Sequence, residues 1–281
     1  MRVFITGIRG QLGRTLATTL SDHDVTGIDL PECDITDRAQ IHAAIDAAQP
    51  DLVIHCAAMT DVDGCARDPV AAYKVNGLGT QNVALACQAR GAAMLYVSTN
   101  EVFDGAARQS YSEFDPTHPI NPYGRSKQAG EWYTRYLLNR FFIVRTAWLY
   151  APGGRNFPHR IVQIADERGA LRVVTDEVGS PTYVVDLARA IRQLISSAQY
   201  GVYHFVNEGV CSRYDFACET LRLTGRGSVP VEPTTLAVFE RDSTPPPYAP
   251  LVNTAGAAIG IRLRPWQEAL ADFLASPVDT S

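Results

Sequence analysis

No two cysteines in this chain stand at the C-x-x-C spacing. The six present (33, 56, 65, 87, 211 and 218) are spread through apolar and helical patterns. That spacing excludes a thioredoxin-like motif or a zinc ribbon, and reduced core residues are the expectation. The six histidines form no H-x-H or H-E-x-x-H array, so no metal site built from protein ligands is expected. There is no apolar run of about 18 residues and no secretory leader, which leaves a cytoplasmic protein as the default. A long basic tract is missing too: 25 Lys and Arg stand against 30 Asp and Glu, for a net charge of -5. Nucleic acid and anionic membrane therefore have no electrostatic footprint here.

The 281 residues, 46% hydrophobic and 20% charged, suffice for one large α/β domain or a domain with a smaller lobe. Strand and helix patterns alternate through the first half. Strands are expected over residues 2–6, 25–28, 51–55, 93–97 and 141–146, with helices over 10–20, 37–48, 69–90 and 122–139. Leu16 and Leu20, and Ile41 and Ile45, fall on i/i+4 rows that would face a sheet. Asn121 and Pro122 mark a helix start, a capping amide followed by proline at the first helical position. This rhythm predicts a doubly wound parallel sheet of the Rossmann type, with right-handed crossovers. The second half is less regular, with helices over 156–168, 184–195, 212–223 and 265–274 and a strand over 201–206. The expected division is a dinucleotide-binding domain over 1–150, to which 176–206 return. A smaller C-terminal substrate-binding lobe would be made from 151–175 and 207–281.

Gly7-Ile8-Arg9-Gly10-Gln11-Leu12-Gly13 follows the first strand and opens the first helix. Glycines let the backbone turn tightly and approach a pyrophosphate, which rests on helix N-terminal N–H groups. Asp29 ends the second strand about twenty residues on, where a carboxylate can accept the adenosine ribose 2′-OH and favour NAD. Arg9 points the other way, since a guanidinium in the turn can pair with the 2′-phosphate of NADP. Cofactor preference, NADP(H) or NAD(H), stays open. Asp34 and Ile35 are candidates to line the adenine.

Tyr123 and Lys127, at i and i+4, share one helix face. There an ammonium can stabilise a phenolate and lower a tyrosine pKa from its reference of about 10. Ser98 and Thr99 end the fourth strand, where the C-terminal edges of parallel strands line a ligand crevice. The chemistry these residues imply is reduction. Hydride goes to a ketone carbon, Tyr123 protonates the developing alkoxide, Lys127 holds the phenol and the nicotinamide ribose, and Thr99 fixes the carbonyl.

With these motifs in place, the chain resembles the extended short-chain dehydrogenase/reductase superfamily, and within it the dTDP-4-dehydrorhamnose reductase family. The resemblance runs over nearly the whole length. It rests on the glycine turn, Asp34-Ile35-Thr36-Asp37, Ala57-Ala58-Met59-Thr60 followed by Val62-Asp63, and Val75-Asn76. It continues through Val102-Phe103-Asp104-Gly105, residues 121–127, Arg145-Thr146-Ala147-Trp148-Leu149-Tyr150, Gly153-Gly154-Arg155-Asn156-Phe157 and Gly179-Ser180-Pro181-Thr182. It implies that Tyr123 and Lys127 are the catalytic pair and that Thr99 contacts the keto group. Trp148 would pack on the deoxysugar, and Ala57, Ala58 and Thr60 would border the nicotinamide half of the cofactor. Asn76 would support the sheet and helix beside the site.

The implied reaction is NAD(P)H-dependent reduction of the C4 ketone of a nucleotide-linked 6-deoxy-4-keto sugar, best matched by dTDP-4-dehydro-L-rhamnose going to dTDP-L-rhamnose. Two departures stand out. The family usually reads Ser-Thr-Asp-Tyr, and here Asn100 and Glu101 follow Ser98-Thr99. Asn100 can orient a substrate by hydrogen bonds but cannot ionise. Met59 also replaces a customary tyrosine. The stretch 243–250 is either a stiff surface loop or part of the sugar-nucleotide wall, with Arg241 near a phosphate. The alternatives are a non-catalytic NAD(P)-binding regulatory subunit of the same fold, or a related 4-keto sugar nucleotide reductase or epimerase. Oligomeric state is not legible in the chain. The family often pairs subunits, so a homodimer belongs to the expectation, and no carboxylate cluster compels a metal at such a contact.

Overall fold

Six parallel strands form the central sheet, in the order Gly201–His204, Phe141–Thr146, Ala93–Thr99, Leu52–His55, Arg2–Thr6, Asp24–Ile28. The structure, a computed structural model, describes residues 1–153 and 156–275. Because side chains alternate along a strand, the sheet sorts its own residues into two cores. Val3, Ile5, Leu52, Ile54, Leu95, Phe142 and Val144 pack on one side against Leu12, Leu16, Leu20, Leu187, Ile191 and Leu194. Phe4, Val53, Met94, Tyr96 and Ile143 pack on the other against Ile41, Ile45, Val83 and Cys87. Each fully buried Leu or Ile contributes about 2 kcal/mol of transfer free energy. Both faces are covered, which is why Leu52–His55 is buried throughout and reads as a continuous apolar run.

Strand order reverses at Arg2–Thr6. The chain steps from this strand to Asp24–Ile28 on one side, then returns to lay Leu52–His55 on the other. In such sheets the crevice opens outside the C-terminal strand ends at this switch point. The glycine turn after Thr6 and the small residues after His55 therefore meet by topology.

Residues 69–90, expected as one helix, form three consecutive segments. These are Pro69–Ala72, a π-helical turn Tyr73–Gly79, and Thr80–Arg90. The wider turn shifts the register of the helix face and accompanies an inward Asn76. Its Oδ1 accepts from Met59 N (2.8 Å), and its Nδ2 donates to Met59 O (3.0 Å) and Ser126 Oγ (2.9 Å). A short helix Val62–Arg67 precedes it, and the sequence pattern gave no sign of it.

Farther along, Leu171–Val174 pairs in parallel with Val231–Thr234. Helices Phe157–Arg168 and Arg213–Leu223 close over them, burying Ile161, Ala165, Val173, Ala217 and Leu221. The second of these helices starts with a capping box, Ser212 Oγ accepting from Asp215 N (3.0 Å) and Asp215 Oδ2 from Ser212 N (3.0 Å). The final helix Trp266–Ala275 instead buries Trp266, Leu270 and Phe273 in the main core. The 243–250 stretch is not a surface loop. Val178 N donates to Pro247 O (2.8 Å), Ala249 N to Val178 O (3.0 Å) and Tyr111 N to Pro250 O (2.8 Å), and Ala249 is fully buried. All six cysteines are free. Among the described residues no helix is long and apolar enough to cross a membrane, and no cluster of His, Cys, Asp and Glu could hold a metal ion. Gly154 and Arg155 of the Gly-Gly-Arg-Asn-Phe motif lie outside the described residues.

Candidate active site

A cleft of about 750 Å³ runs over the switch point, within the range of small-molecule sites. Gly7 sits at φ +73°, and a Cβ on it would lie 2.8 Å from Ala57 N; one on Gly13 would lie 2.2 Å from Gly7 O. Only glycines let turn, helix and third strand approach this closely. No side chain caps the helix Gln11–Thr19, so its first N–H groups remain available to an anion. Of the residues singled out in the sequence, Gly7, Gly10, Gln11, Leu12, Gly13, Asp29, Asp34, Ile35, Ala57, Ala58 and Thr60 line one length of this cleft. Thr99, Asn100, Tyr123, Lys127 and Trp148 line the other.

Arg9 is the exception. Its guanidinium lies at the rim, paired with Glu32 and donating to Leu30 O (3.1 Å). That hydrogen bond and charge raise Arg9 and lower Glu32. An exposed pair of this kind is weak and readily exchanged for another anion. Asp29 uses both oxygens on its own loop, Oδ2 accepting from Arg9 N and Oδ1 from Leu30 N, each at 2.9 Å. Its carboxylate is thus fixed on the cleft wall. Asp34 likewise closes a local turn by accepting from Thr36 N (2.8 Å).

At the other end, the helix Pro122–Leu137 begins with Asn121 accepting from Gly124 N (2.8 Å). Tyr123, Lys127 and Glu131 follow at four-residue steps and share a face. Lys127 is 4% exposed, and its Nζ lies 4.3 Å from the Tyr96 ring centroid. Among the described residues no protein atom hydrogen-bonds it. Burial pushes it down to about 8. Tyr123 moves opposite to the sequence expectation. Burial first, then the Glu101 charge, raise the phenol, and the Thr99 hydroxyl only partly opposes them. Lys127 does not outweigh these effects, because the cleft wall takes the phenolate out of water. Tyr123 and Glu101 keep a water-accessible edge on the cleft, yet protein surrounds them closely enough for burial to dominate.

Asn100 spends its amide on protein. Nδ2 donates to Ala249 O (3.1 Å) and Oδ1 accepts from Thr99 Oγ1 (3.3 Å). It thereby steadies Thr99 and ties the site to the 243–250 stretch. Trp148 has a left-handed backbone (φ 44°), a strained state for a bulky residue. Its indole is sandwiched between Gly179, where a Cβ would come within 2.7 Å, and the Arg213 guanidinium, 3.6 Å from the ring centroid. Arg241 does not reach the cleft lining; its Nε donates to Asp63 Oδ1 (3.0 Å).

Val62, Arg213 and Glu101 are among the lining residues to which sequence reasoning assigned no role. Val62 comes from the unforeseen helix, and Arg213 arrives from more than sixty positions beyond Trp148 with no local signal. Glu101 was visible only as a departure from a pattern. Burial pushes its carboxyl up to about 7, aided by Glu177 and opposed by the Asn121 hydrogen bond, Arg241 and Arg213. The cleft fits a dinucleotide at both ends. It offers uncapped helix N–H groups at the glycine turn and, at the far end, the Lys127 ammonium and Thr146 Oγ1, neither with a hydrogen-bond partner among the described residues.

The RmlD substrate binding domain family matches residues 1–278. The spore coat polysaccharide biosynthesis protein SpsK of Bacillus subtilis is 37% identical over 97% of this chain and 96% of its own. The dTDP-4-dehydrorhamnose reductase of Mycolicibacterium smegmatis is 38% identical over 99% of this chain and 86% of its own. The crystal structure of dTDP-4-dehydrorhamnose reductase from Bacillus anthracis in complex with NADP superposes with a TM-score of 0.94. It is 38% identical over 97% of this chain and 98% of that one. With fold, cleft and full-length similarity in agreement, the chain belongs to the dTDP-4-dehydrorhamnose reductase family of the extended short-chain dehydrogenase/reductases.

Proposed function

We propose that this chain reduces the C4 ketone of a dTDP-linked 4-keto-6-deoxy sugar with a nicotinamide cofactor, dTDP-4-dehydro-L-rhamnose to dTDP-L-rhamnose being the foremost conversion. The observation that carries the reading is that Tyr123, Lys127 and Thr99 border the same cleft as the glycine turn. The full-length likeness to named dTDP-4-dehydrorhamnose reductases supports it.

A reduced nicotinamide supplies the hydride when bound. The protein does the rest. The uncapped helix end takes the pyrophosphate, and Ala57, Ala58 and Thr60 leave room beside it. Lys127, with no acceptor for its ammonium among the described residues, serves the nicotinamide ribose. Thr99 holds the ketone oxygen while Tyr123 delivers its proton as the C4–H bond forms. A phenol held above its usual pKa remains protonated at neutral pH, which suits a proton donor. Trp148 and the Arg213 guanidinium stacked on it together form the wall beside the sugar. A pair of such chains belongs to the same reading, supported by exposed Val70, Trp132 and Tyr136 on neighbouring helices.

The test is loss of NADH or NADPH absorbance with enzymatically prepared dTDP-4-dehydro-L-rhamnose, followed by identification of the product. Formation of dTDP-L-rhamnose supports the assignment, and no oxidation of either cofactor with any dTDP-4-keto-6-deoxy sugar removes it. The same assay reads whether Asp29 or Arg9 governs preference.

Lys127 also sets a pH dependence. Its folded-state pKa of about 8 lies below the reference for lysine, so the free protein loses this ammonium as pH rises through about 8. Cofactor affinity, read by fluorescence titration, is expected to fall over that window. The sign for stability is opposite. The unfolded chain binds the extra proton between about pH 8 and 10.5, so stability rises there with pH. Affinity that is flat from about pH 7 to 10 would separate Lys127 from cofactor binding.

A further inference from the structure

Glu101 occupies the Asn100–Val102 turn directly after Thr99, and the reaction as derived gives it nothing to do. Its backbone is pinned on both sides. Glu101 N donates to Thr99 Oγ1 (3.2 Å), and its carbonyl abuts the helix at Gly124, where a Cβ would lie only 2.0 Å away. The carboxylate is therefore held beside both the hydroxyl and the phenol that meet the ketone oxygen. Asn121 Nδ2 donates to Oε2 (2.6 Å). Oε1 has no hydrogen-bond partner among the described residues, and the side chain borders the cleft. The neighbouring cations are committed elsewhere: Arg213 Nε to Glu177 Oε1 (2.9 Å), Arg241 Nε to Asp63. A largely buried carboxylate with one acceptor unused is costly unless a ligand supplies the donor.

We propose that Glu101 is a specificity-determining residue whose free carboxylate oxygen accepts a hydrogen bond from the sugar hydroxyl on the carbon adjacent to the ketone. This rests on the reductase reading above. In a 4-keto-6-deoxyhexose the two carbons flanking C4 differ: C5 carries the methyl group and the ring oxygen and no hydroxyl, whereas C3 carries a hydroxyl. A carboxylate beside the ketone pocket can thus be satisfied only from the C3 side. A sugar lacking that hydroxyl leaves Oε1 stranded, which is how a polar site rejects a deoxy analogue.

Glu101→Gln tests this without removing the acceptor for Asn121, since a glutamine oxygen can take that bond while its amide nitrogen cannot accept from the sugar. kcat/KM is measured for the 4-keto-6-deoxy sugar nucleotide and for its 3-deoxy counterpart, alongside cofactor Kd and Tm. The expected result is a loss of about 10–100-fold for the C3-hydroxylated sugar. Little change is expected for the 3-deoxy sugar, cofactor Kd or Tm. Unchanged kcat/KM for the hydroxylated sugar, or equal losses for both sugars, overturns the assignment while leaving the reductase reading in place. If the unsubstituted protein turns over neither sugar, both fall together.

Discussion

Replacing Tyr123 by phenylalanine is expected to lower single-turnover reduction by about 10²–10⁴-fold, the usual worth of a positioned proton donor. Only the hydroxyl is lost, and the helix Pro122–Leu137 that carries the ring is left unchanged. The alkoxide forming at C4 would then have to take its proton from solvent or from Thr99. A threonine hydroxyl is a far weaker acid than a phenol, so Thr99 can hold the oxygen but cannot replace the donor. Cofactor binding should survive, since Lys127 and the glycine turn are untouched and Lys127 does not hydrogen-bond the phenol in this cleft. The measurement is the absorbance decay of reduced nicotinamide on mixing with excess ketosugar, with Kd for the cofactor determined separately. A Tyr123→Phe protein that reduces the sugar at the full rate would take the phenol out of the chemistry. Loss of cofactor binding in parallel would make it a structural residue.

Much of this site was legible because its signals are local. The glycine turn needs a few consecutive residues, and Tyr123 and Lys127 need one helical turn behind an Asn-Pro start. The alternation of apolar strands with helices gave the parallel sheet for the same reason. What stayed hidden came from far along the chain or from a balance of terms. Arg213 reaches the Trp148 indole only after the described chain has built six short strands and two helices. The π turn at Tyr73–Gly79 leaves no periodicity mark, because one extra residue in a long helical pattern shifts its phase without breaking it. The direction of the Tyr123 shift depends on burial set by the whole cleft, which a pairwise Tyr–Lys argument omits. Arg9 reads as a phosphate ligand from its place in the turn. Glu32, brought back to it by the loop after the second strand, gives it a competing anion.

Cutting the Glu131–Arg145 pair is expected to destabilise the fold by about 3–5 kcal/mol, because it strands one full charge inside the protein. Both side chains are about 2% exposed. Arg145 grips the carboxylate in two places, Nε to Oε1 (2.8 Å) and Nη2 to Oε2 (2.7 Å), and Ser98 Oγ donates to Oε1 (2.7 Å). Burial alone would raise Glu131, but the Arg145 hydrogen bonds and charge, then Ser98, outweigh it and hold the carboxyl low. His204 completes the cluster. Its Nδ1 faces Tyr111 O (3.2 Å) and its Nε2 faces Arg145 Nη1 (3.3 Å). The carbonyl can only accept, so the ring proton belongs on Nδ1, and burial with the Arg145 charge pushes the imidazole down to about 3 and keeps it neutral. Arg145→Met should therefore lower Tm by about 10 °C. Glu131→Met paired with Arg145→Met should recover most of the loss, short of about 1 kcal/mol each for the Ser98 hydroxyl and the His204 Nε2 left unpaired. The sign with pH follows from the depressed carboxyl: the stabilisation is present above the unfolded value for glutamate and is lost as pH falls through the folded one. The pair also bears on function, because Glu131 lies one turn beyond Lys127 and two beyond Tyr123, and Ser98 immediately precedes Thr99. Glu131 and Arg145 thus clamp the helix with the phenol and ammonium to the strand end that carries the hydroxyl. If thermal melts showed the single and double replacements equally unstable, the two charges would not be coupled. A stable single replacement with weakened ketosugar turnover would make the clamp a matter of alignment alone.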